Sequence, residues 1–138
     1  MKRILVPLDG SASSIHALEY MLDRKKRGER SEVFVINVQP DLPSSRFVSR
    51  EAIEHWQAQE SEKALSSAPV RKLIDQLGAD VYAENGDAAE VIVKFAKKTG
   101  CHEIVMGTRG LGRLKGLVMG SVATKIVQLA NVPVTLVK

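Results

Sequence analysis

The sequence has little of several features that mark particular classes of protein. A single cysteine among 138 residues excludes an intrachain disulfide scaffold and favours a reducing compartment. No apolar run approaches the ~20 residues of a membrane-spanning helix, and the apolar run at the N-terminus stops at Asp9, too early for a signal peptide. The charge excess is small, with 20 basic and 16 acidic side chains, whereas nucleic-acid-binding domains cluster their excess on one face. We therefore expect a cytoplasmic protein that binds neither membranes nor nucleic acid.

What the sequence does contain is the apolar content of one globular domain, 1–138, with 44% hydrophobic and 26% charged residues. Short apolar runs predict strands at 3–7, 33–38, 79–84, 103–106 and 132–137. Between them, helical periodicity predicts helices over 12–26, 49–77, 88–99 and 121–130. This alternation is typical of parallel strands joined by right-handed crossovers. The predicted fold is therefore a three-layer α/β/α sandwich around a five-stranded sheet.

Three local expectations go with these elements. Pro69 lies inside the second helical stretch and is expected to kink or split it. Val81 is expected to pack in the third strand. In the last helix, the spacing places Val122, Ile126 and Leu129 on the inward face.

The segment after the fourth strand differs in composition from the rest of the chain. Residues 107–121 hold five of the ten glycines, together with Arg109, Arg113 and Lys115, and no acidic residue. Glycine lets backbone N–H groups approach an anion closely. The helix that begins at Ser121 adds free amides and a favourable dipole, and the serine hydroxyl can donate to phosphate. The segment predicts a phosphate-binding loop rather than a plain strand-to-helix turn, with the three cations supplying electrostatic attraction.

Two named phosphate motifs do not fit this loop. A P-loop needs a lysine before its Ser or Thr, but Gly120 is followed directly by Ser121. A dinucleotide fingerprint of the form Gly-x-Gly-x-x-Gly begins at Gly110 and has Lys115 in place of its third glycine. The loop therefore matches neither pattern.

The loop after the first strand offers a carboxylate, Asp9, at the edge of the sheet where open parallel sheets bind ligands. Two interpretations remain open for it: a contact to a ribose or a phosphate-bound cation, or a turn residue satisfied by neighbouring amides. Ser11, Ser13 and Ser14 are expected to act as helix caps. Cys101 and the histidines are too scattered along the chain for a metal site.

Two stretches resemble the universal stress protein family, and the order of elements between them extends the resemblance over the whole chain. They are the run from Ile4 to Ser11 and the motif Gly107-x2-Gly110-x9-Gly120-Ser121. The spaced glycines are similar to those of the ATP-binding branch of that family. The resemblance implies a strand order of 3-2-1-4-5, with the switch point between strands one and four.

The resemblance also implies a site for ATP with Mg²⁺. Asp9 would lie near the ribose, the backbone of Val38 at the adenine edge, and Met106 beside the ribose and phosphates. The full set of predicted nucleotide-binding residues is Pro7, Leu8, Asp9, Val38, Met106, Gly107, Arg109, Gly110, Gly120, Ser121 and Val122. In this set, Pro7 and Leu8 would wall the adenine pocket, and the residues from Gly110 to Val122 would hold the phosphates.

The expected function is that of a regulatory ATP binder with at most slow hydrolysis, because no general base or second carboxylate stands near the γ-phosphate in the sequence. Two alternatives remain. One is an enzyme of the related ATP pyrophosphatase group, whose Ser-Gly-Gly-x-Asp-Ser stretch is matched after strand one only without its paired glycines. The other is a dimeric interaction module with a vestigial ATP site.

A homodimer is expected through the last strand, Val132 to Lys138. In the 3-2-1-4-5 order this strand lies at an edge, and it carries no charge before Lys138. Such an edge promotes aggregation if left open, and antiparallel pairing with a second copy would satisfy it around a two-fold axis. Many universal stress proteins pair through this strand, so the resemblance implies the same arrangement.

Overall fold

The computed structural model describes residues 1–110 and 119–138. Strands and helices alternate through this part of the chain, and each element is named here in order. They are β1 Lys2–Pro7, α1 Ala12–Lys26, β2 Ser31–Gln39, α2 Arg50–Leu65, α3 Ala68–Leu77, β3 Asp80–Asn85, α4 Ala88–Thr99, β4 Glu103–Gly107, α5 Ser121–Leu129 and β5 Val134–Val137.

The five strands form one parallel sheet in the order β3-β2-β1-β4-β5, which confirms the predicted fold. β1 is central: Ile4 pairs with Val33 of β2 on one side and with Glu103 of β4 on the other. The chain leaves β1 toward β2 and later returns to β4 on the opposite side. The connections that follow β1 and β4 therefore lead to opposite faces of the sheet, to α1 and α5. An open α/β sheet forms its ligand crevice at such a point.

Helices cover both faces of the sheet, so the central strands are buried on both sides, as parallel sheets require. One core joins alternate residues of β1 and β2 to α1 and α3 through Ile4, Val35 and Leu18. The other joins the intervening residues to α4 and α5 through Leu5, Ile92 and Ile126. In the described ranges, no helix combines the length and the apolar character needed to cross a membrane.

Pro69 splits the long helical stretch instead of kinking it. α2 ends at Leu65 and α3 begins at Ala68, with the proline in its first turn. A proline is tolerated there because the first-turn N–H groups have no partner within the helix. The split turns the chain between the two helices, so that only α3 packs beside α1.

Two packing predictions were wrong. Val81 is 42% exposed, because β3 is an edge strand whose six residues are all exposed. In α5, Ile126 is buried as expected, but Val122 and Leu129 are 38% and 43% exposed. The helix instead presents the small side chain of Ala123 to the sheet beside Ile126, which allows a close approach and leaves the two larger side chains on its flank.

Candidate functional site

A cavity of about 310 Å³ opens at the carboxyl edge of the sheet, between the ends of β1 and β4. Its volume lies at the lower end of the range for small-molecule pockets, roughly 300–1,000 Å³. The lining includes all the residues predicted from the sequence: Pro7, Leu8, Asp9, Val38, Met106, Gly107, Arg109, Gly110, Gly120, Ser121 and Val122. The fold thus brings them to one place, and their contact with a ligand stays a prediction.

One end of the cavity is apolar. Ile36 and Val38 reach it from β2, Met106 from β4, and Ala88 and Ile92 from the start of α4. Sequence reasoning missed the two α4 residues. The signal that could have found them is the capping box at Asp87, which starts a helix directly after β3 and so at the carboxyl edge of the sheet.

Asp9 is the only carboxylate among the described lining residues. Its Oδ1 accepts a hydrogen bond from the Ser11 N–H at 2.9 Å, which is the local turn expected of one interpretation. Its Oδ2 faces Gly110, where a Cβ would lie only 2.9 Å away. The two oxygens therefore fit different interpretations. Oδ1 is used by the local turn, whereas Oδ2 is directed at the glycine segment, where a ligand contact is expected.

Close packing requires glycine at position 107 of this segment. A Cβ on Gly107 would lie 2.7 Å from the carbonyl carbon of Ser13 and would overlap its hydroxyl. Close packing against the first turn of α1 is therefore sufficient to explain why residue 107 is glycine, apart from any role in anion binding. A Cβ on Gly120 would lie 3.4 Å from the Gly110 nitrogen, so the two motif glycines face each other across the base of the segment.

Hydrogen bonds fix that base. The Gly120 N–H donates to the Thr108 carbonyl at 2.6 Å, and the Thr108 N–H donates to the Val137 carbonyl at 2.9 Å. The Ser13 hydroxyl donates to the same Val137 carbonyl at 3.1 Å and accepts from the Arg109 N–H at 3.4 Å. Ser13 therefore joins α1, β5 and the glycine segment instead of capping a helix. The predicted cations Arg113 and Lys115 lie outside the described residues.

Side chains cap three of the five described helices, and α5, like α3, is not one of them. Ser11, Ser49 and Asp87 cap α1, α2 and α4 by accepting from first-turn amides. At α5 the cap residue is Gly120, and no side chain of the described part of the chain caps this helix. Its first-turn residues Ser121, Val122 and Ala123 line the cavity. Because first-turn N–H groups lack partners within a helix, this end can bind an anion.

The strongest electrostatic interactions lie at the opposite, amino edge of the sheet. Arg24 donates to both Glu103 oxygens at 3.0 Å and to Glu29. Burial alone would raise the pKa of Glu103, but hydrogen bonds from Arg24 and Thr135 hold it below its usual value. The hydrogen bond from Arg24 likewise lowers the pKa of Glu29. Glu103 begins β4, whereas Met106 and Gly107 at the other end of the strand line the cavity, so this cluster does not belong to the lining.

Comparison with known proteins supplies independent information. The universal stress protein family model matches residues 1–138. Universal stress protein MJ0531 of Methanocaldococcus jannaschii is 33% identical over 99% of this chain and 82% of its own length. Universal stress protein UspA from Lactobacillus plantarum has the same fold, with a TM-score of 0.86 at 18% identity and coverage of 99% and 97% of the two chains. The universal stress protein from Archaeoglobus fulgidus in complex with dAMP superposes with a TM-score of 0.65 at 24% identity, covering 100% and 98%.

Proposed function

This chain belongs to the universal stress protein family, and from that premise we propose that it is an ATP-binding regulatory member of the family with at most slow hydrolysis. The compartment we propose is the cytoplasm. The nucleotide is held in the cavity between the ends of β1 and β4. A relative from Archaeoglobus fulgidus in complex with dAMP supports an adenine nucleotide as the ligand class.

One observation carries the proposal: an apolar end, a carboxylate and an uncapped helix start meet in one cavity. The adenine is placed at the apolar end between Val38 and Met106. The Asp9 Oδ2 accepts from a ribose hydroxyl, since its other oxygen is used by the Ser11 amide. The phosphates lie at Gly110 and the first turn of α5, where backbone amides and the helix dipole favour negative charge.

The residues present fit Mg²⁺ only as a partner of the phosphates. Mg²⁺ usually keeps several waters and binds through one or two carboxylates together with substrate phosphates. Asp9 is the only described lining residue that could supply such a carboxylate. We therefore propose that Mg²⁺ enters with the nucleotide instead of occupying a site formed by protein groups alone.

The direct test identifies what the protein carries when purified. Small molecules released by denaturation are analysed by mass spectrometry, and calorimetry compares ATP, AMP and GTP with Mg²⁺ present. We expect an adenine nucleotide in the released fraction, and we expect ATP to bind more tightly than GTP. Absence of binding to the emptied protein at millimolar ATP would contradict the proposal and favour an interaction module with a vestigial site.

We also propose a homodimer through β5 and the residues that flank it, from Val132 to Lys138. The four residues of β5 are only half-buried although the strand is apolar, and one edge of it is unpaired in the described sheet. Val127 and Leu129 of the adjoining α5 are 48% and 43% exposed. Antiparallel pairing with the same strand of a second copy would satisfy the edge and cover this surface.

The dimer is tested by placing charge on its proposed edge. Val134→Lys combined with Leu136→Lys should give a monomer or a poorly folded chain, because like charges would face each other across the two-fold axis and both side chains pack against the core beneath α4 and α5. Sedimentation at tens of micromolar measures the change. Val81→Lys on the opposite edge strand is the matched control and should leave the dimer intact. A monomeric unmodified protein would overturn this part of the proposal.

A further inference from the structure

A buried amide lies directly behind the cavity, on the other face of β2. Asn37 is 1% exposed and is the one polar residue in the buried run Val33–Asn37 of this strand. Its neighbours Ile36 and Val38 line the cavity. Because successive side chains of a strand point to opposite faces, Asn37 points away from the cavity, toward α2. A buried amide is costly unless it is hydrogen-bonded, so its partners indicate what it is for.

The partners of Asn37 connect the loop after β1 to α2. Its Nδ2 donates to the Leu8 carbonyl at 2.7 Å, and its Oδ1 accepts from the Ser61 hydroxyl at 2.8 Å. The Oδ1 also accepts from the Gln39 side chain at 3.0 Å. The amide orientation is determined by this network, because a backbone carbonyl only accepts and therefore faces the nitrogen.

Leu8 is the residue that precedes Asp9, and β2 holds both of its backbone polar groups. The Leu8 N–H donates to the Ile36 carbonyl at 2.8 Å, and the Leu8 carbonyl accepts from Asn37. The peptide unit that joins Leu8 to Asp9 is thus fixed in orientation from behind the cavity. Asp9 follows this fixed unit and directs its Oδ2 toward Gly110 in the cavity lining.

The inward face of α2 supports the same loop. Gln57, Ser61 and Ala64 are buried along one stripe of this helix. Gln57 donates to the Pro40 carbonyl at 3.1 Å, just after the end of β2. Ala64 lies against Gly10, where a Cβ would be 3.4 Å from the Ala64 Cα and where φ is +86°. Both loops that leave β1 and β2 at the cavity therefore rest on α2.

We infer that Asn37 is a positioning residue of the nucleotide cavity: its amide holds the Leu8 carbonyl and so fixes where Asp9 projects. The inference rests on the proposed function for its effect on affinity, but its effect on the loop is independent of any ligand. Asn37 itself does not line the cavity; it acts through its hydrogen bond to Leu8, which does.

A double-mutant cycle tests the effect on affinity. Asn37→Ala should weaken ATP binding roughly tenfold, the equivalent of one lost hydrogen bond. Asp9→Asn should weaken it as well. If Asn37 acts through Asp9, the double variant should bind about as weakly as the weaker single variant, because the second change removes nothing further. Additive losses would overturn the inference.

Two controls separate positioning from a general loss of stability. Val33→Ala lies on the same strand and the same face as Asn37, four residues toward the amino edge, and should destabilise the protein without changing ATP affinity. Asn37→Leu keeps roughly the size of the side chain, removes the donor to Leu8 without adding a buried charge and should reproduce the affinity loss. It also replaces Asn37→Ala in the cycle if the alanine variant fails to fold.

Hydrogen exchange of the Ser11 amide provides a readout without nucleotide. This amide donates to Asp9 Oδ1, so its protection reports the position of Asp9. We expect it to exchange at least several-fold faster in Asn37→Leu than in Val33→Ala. Equal protection in the two variants would overturn the inference. If the unmodified protein binds no adenine nucleotide, the proposed function fails, and the exchange result still decides whether Asn37 positions Asp9.

Discussion

The amino and carboxyl edges of the sheet differ in how their polar groups are paired. At the amino edge, Arg24 is shared between Glu29 and Glu103, and Thr135 donates to Glu103 at 2.6 Å. These polar groups are partners of one another. At the carboxyl edge, most of the lining is apolar or glycine, Asp9 and Arg109 are its charged residues in the described ranges, and the start of α5 has no side-chain cap among the described residues.

The difference shows where stability and binding are located. Groups that satisfy one another within the fold contribute to the free energy of unfolding and have little capacity left for a ligand. Among the described residues, the Asp9 Oδ2 that faces Gly110 accepts no hydrogen bond, so it is available to a ligand. Variants at the amino edge should therefore change stability alone, and variants at the carboxyl edge should change binding first.

The largest effect is expected from Gly110→Val at the carboxyl edge. The new side chain would begin 2.9 Å from the Asp9 Oδ2, push that carboxylate aside and fill the end of the cavity proposed for the phosphates. ATP binding should become undetectable by calorimetry while the circular dichroism spectrum is retained. Gly28→Ala is a control for backbone strain far from the cavity: its Cβ would meet no atom within 4 Å, but φ is +98°, so it should lower stability and leave ATP affinity intact. A folded Gly110→Val protein with unchanged affinity would remove the distinction between the edges.

At the amino edge, Arg24→Met should lower the free energy of unfolding by about 3 kcal/mol, because it leaves a buried carboxylate without its partner. The Arg24 and Glu103 side chains are only 16% and 9% exposed. Urea denaturation measures the loss, and ATP affinity should not change. Arg27→Met is the control: its pair with Asp23 is exposed at 78% and 53%, so the cost should be about 0.5 kcal/mol or less. A weakened ATP affinity in Arg24→Met would show that the two edges are coupled.

Low pH tests the same comparison between the two edges, with a smaller expected effect on the free energy of unfolding. Burial opposes ionisation of Glu103, but Arg24 and Thr135 hold its pKa below the usual value in the folded protein. Its stabilisation is therefore complete above the unfolded pKa of about 4.3 and is lost as pH falls through the lower folded pKa. Unfolding free energies measured from pH 6 down to pH 3 should fall less steeply in Glu103→Gln than in the unmodified protein. Parallel pH profiles would contradict this.

The fold could be predicted from the sequence where strands are buried on both faces of the sheet. β1, β2 and β4 are covered on both faces, so their sequences are continuous apolar runs, and the alternation with helices predicts parallel pairing. Periodicity alone does not give the strand order, which the family resemblance implied. The errors fall at the margins of the fold, in Val81 on an edge strand and in Val122 and Leu129 on α5. At those positions exposure depends on neighbouring elements and not on the local pattern.

The candidate site likewise contains residues that the sequence predicts and residues that it does not. Residues at the ends of strands could be predicted, because the carboxyl edge of a parallel sheet gathers them whatever the details of packing. Ala88 and Ile92 were missed, since their place in the lining depends on how α4 lies on the sheet. Asn37 lies within the apolar run 33–38, and that run by itself predicts only a buried strand. The significance of Asn37 depends on Leu8 and Ser61, which are 29 and 24 residues away in the chain.

The smallest effect is expected from Arg109, the predicted cation that lies within the described residues. Its side chain is exposed, and an exposed charge acts at a distance through solvent that salt screens. Arg109→Gln should weaken ATP binding several-fold at low salt, and the difference should shrink at 0.5 M salt, measured by calorimetry at both ionic strengths. Lys97→Gln, on the outer face of α4, is the control that removes the same charge away from the cavity.

Two outcomes would change this view of Arg109. A loss of a thousandfold that does not depend on salt would show that the guanidinium is a fixed contact of the phosphates, so that the carboxyl edge also contains a charged group with a defined partner. Equal small losses in Arg109→Gln and Lys97→Gln would show that only the net charge of the protein matters. The expected result lies between these limits, because Arg109 is close to the phosphate end of the cavity while its described hydrogen bonds are made by its backbone.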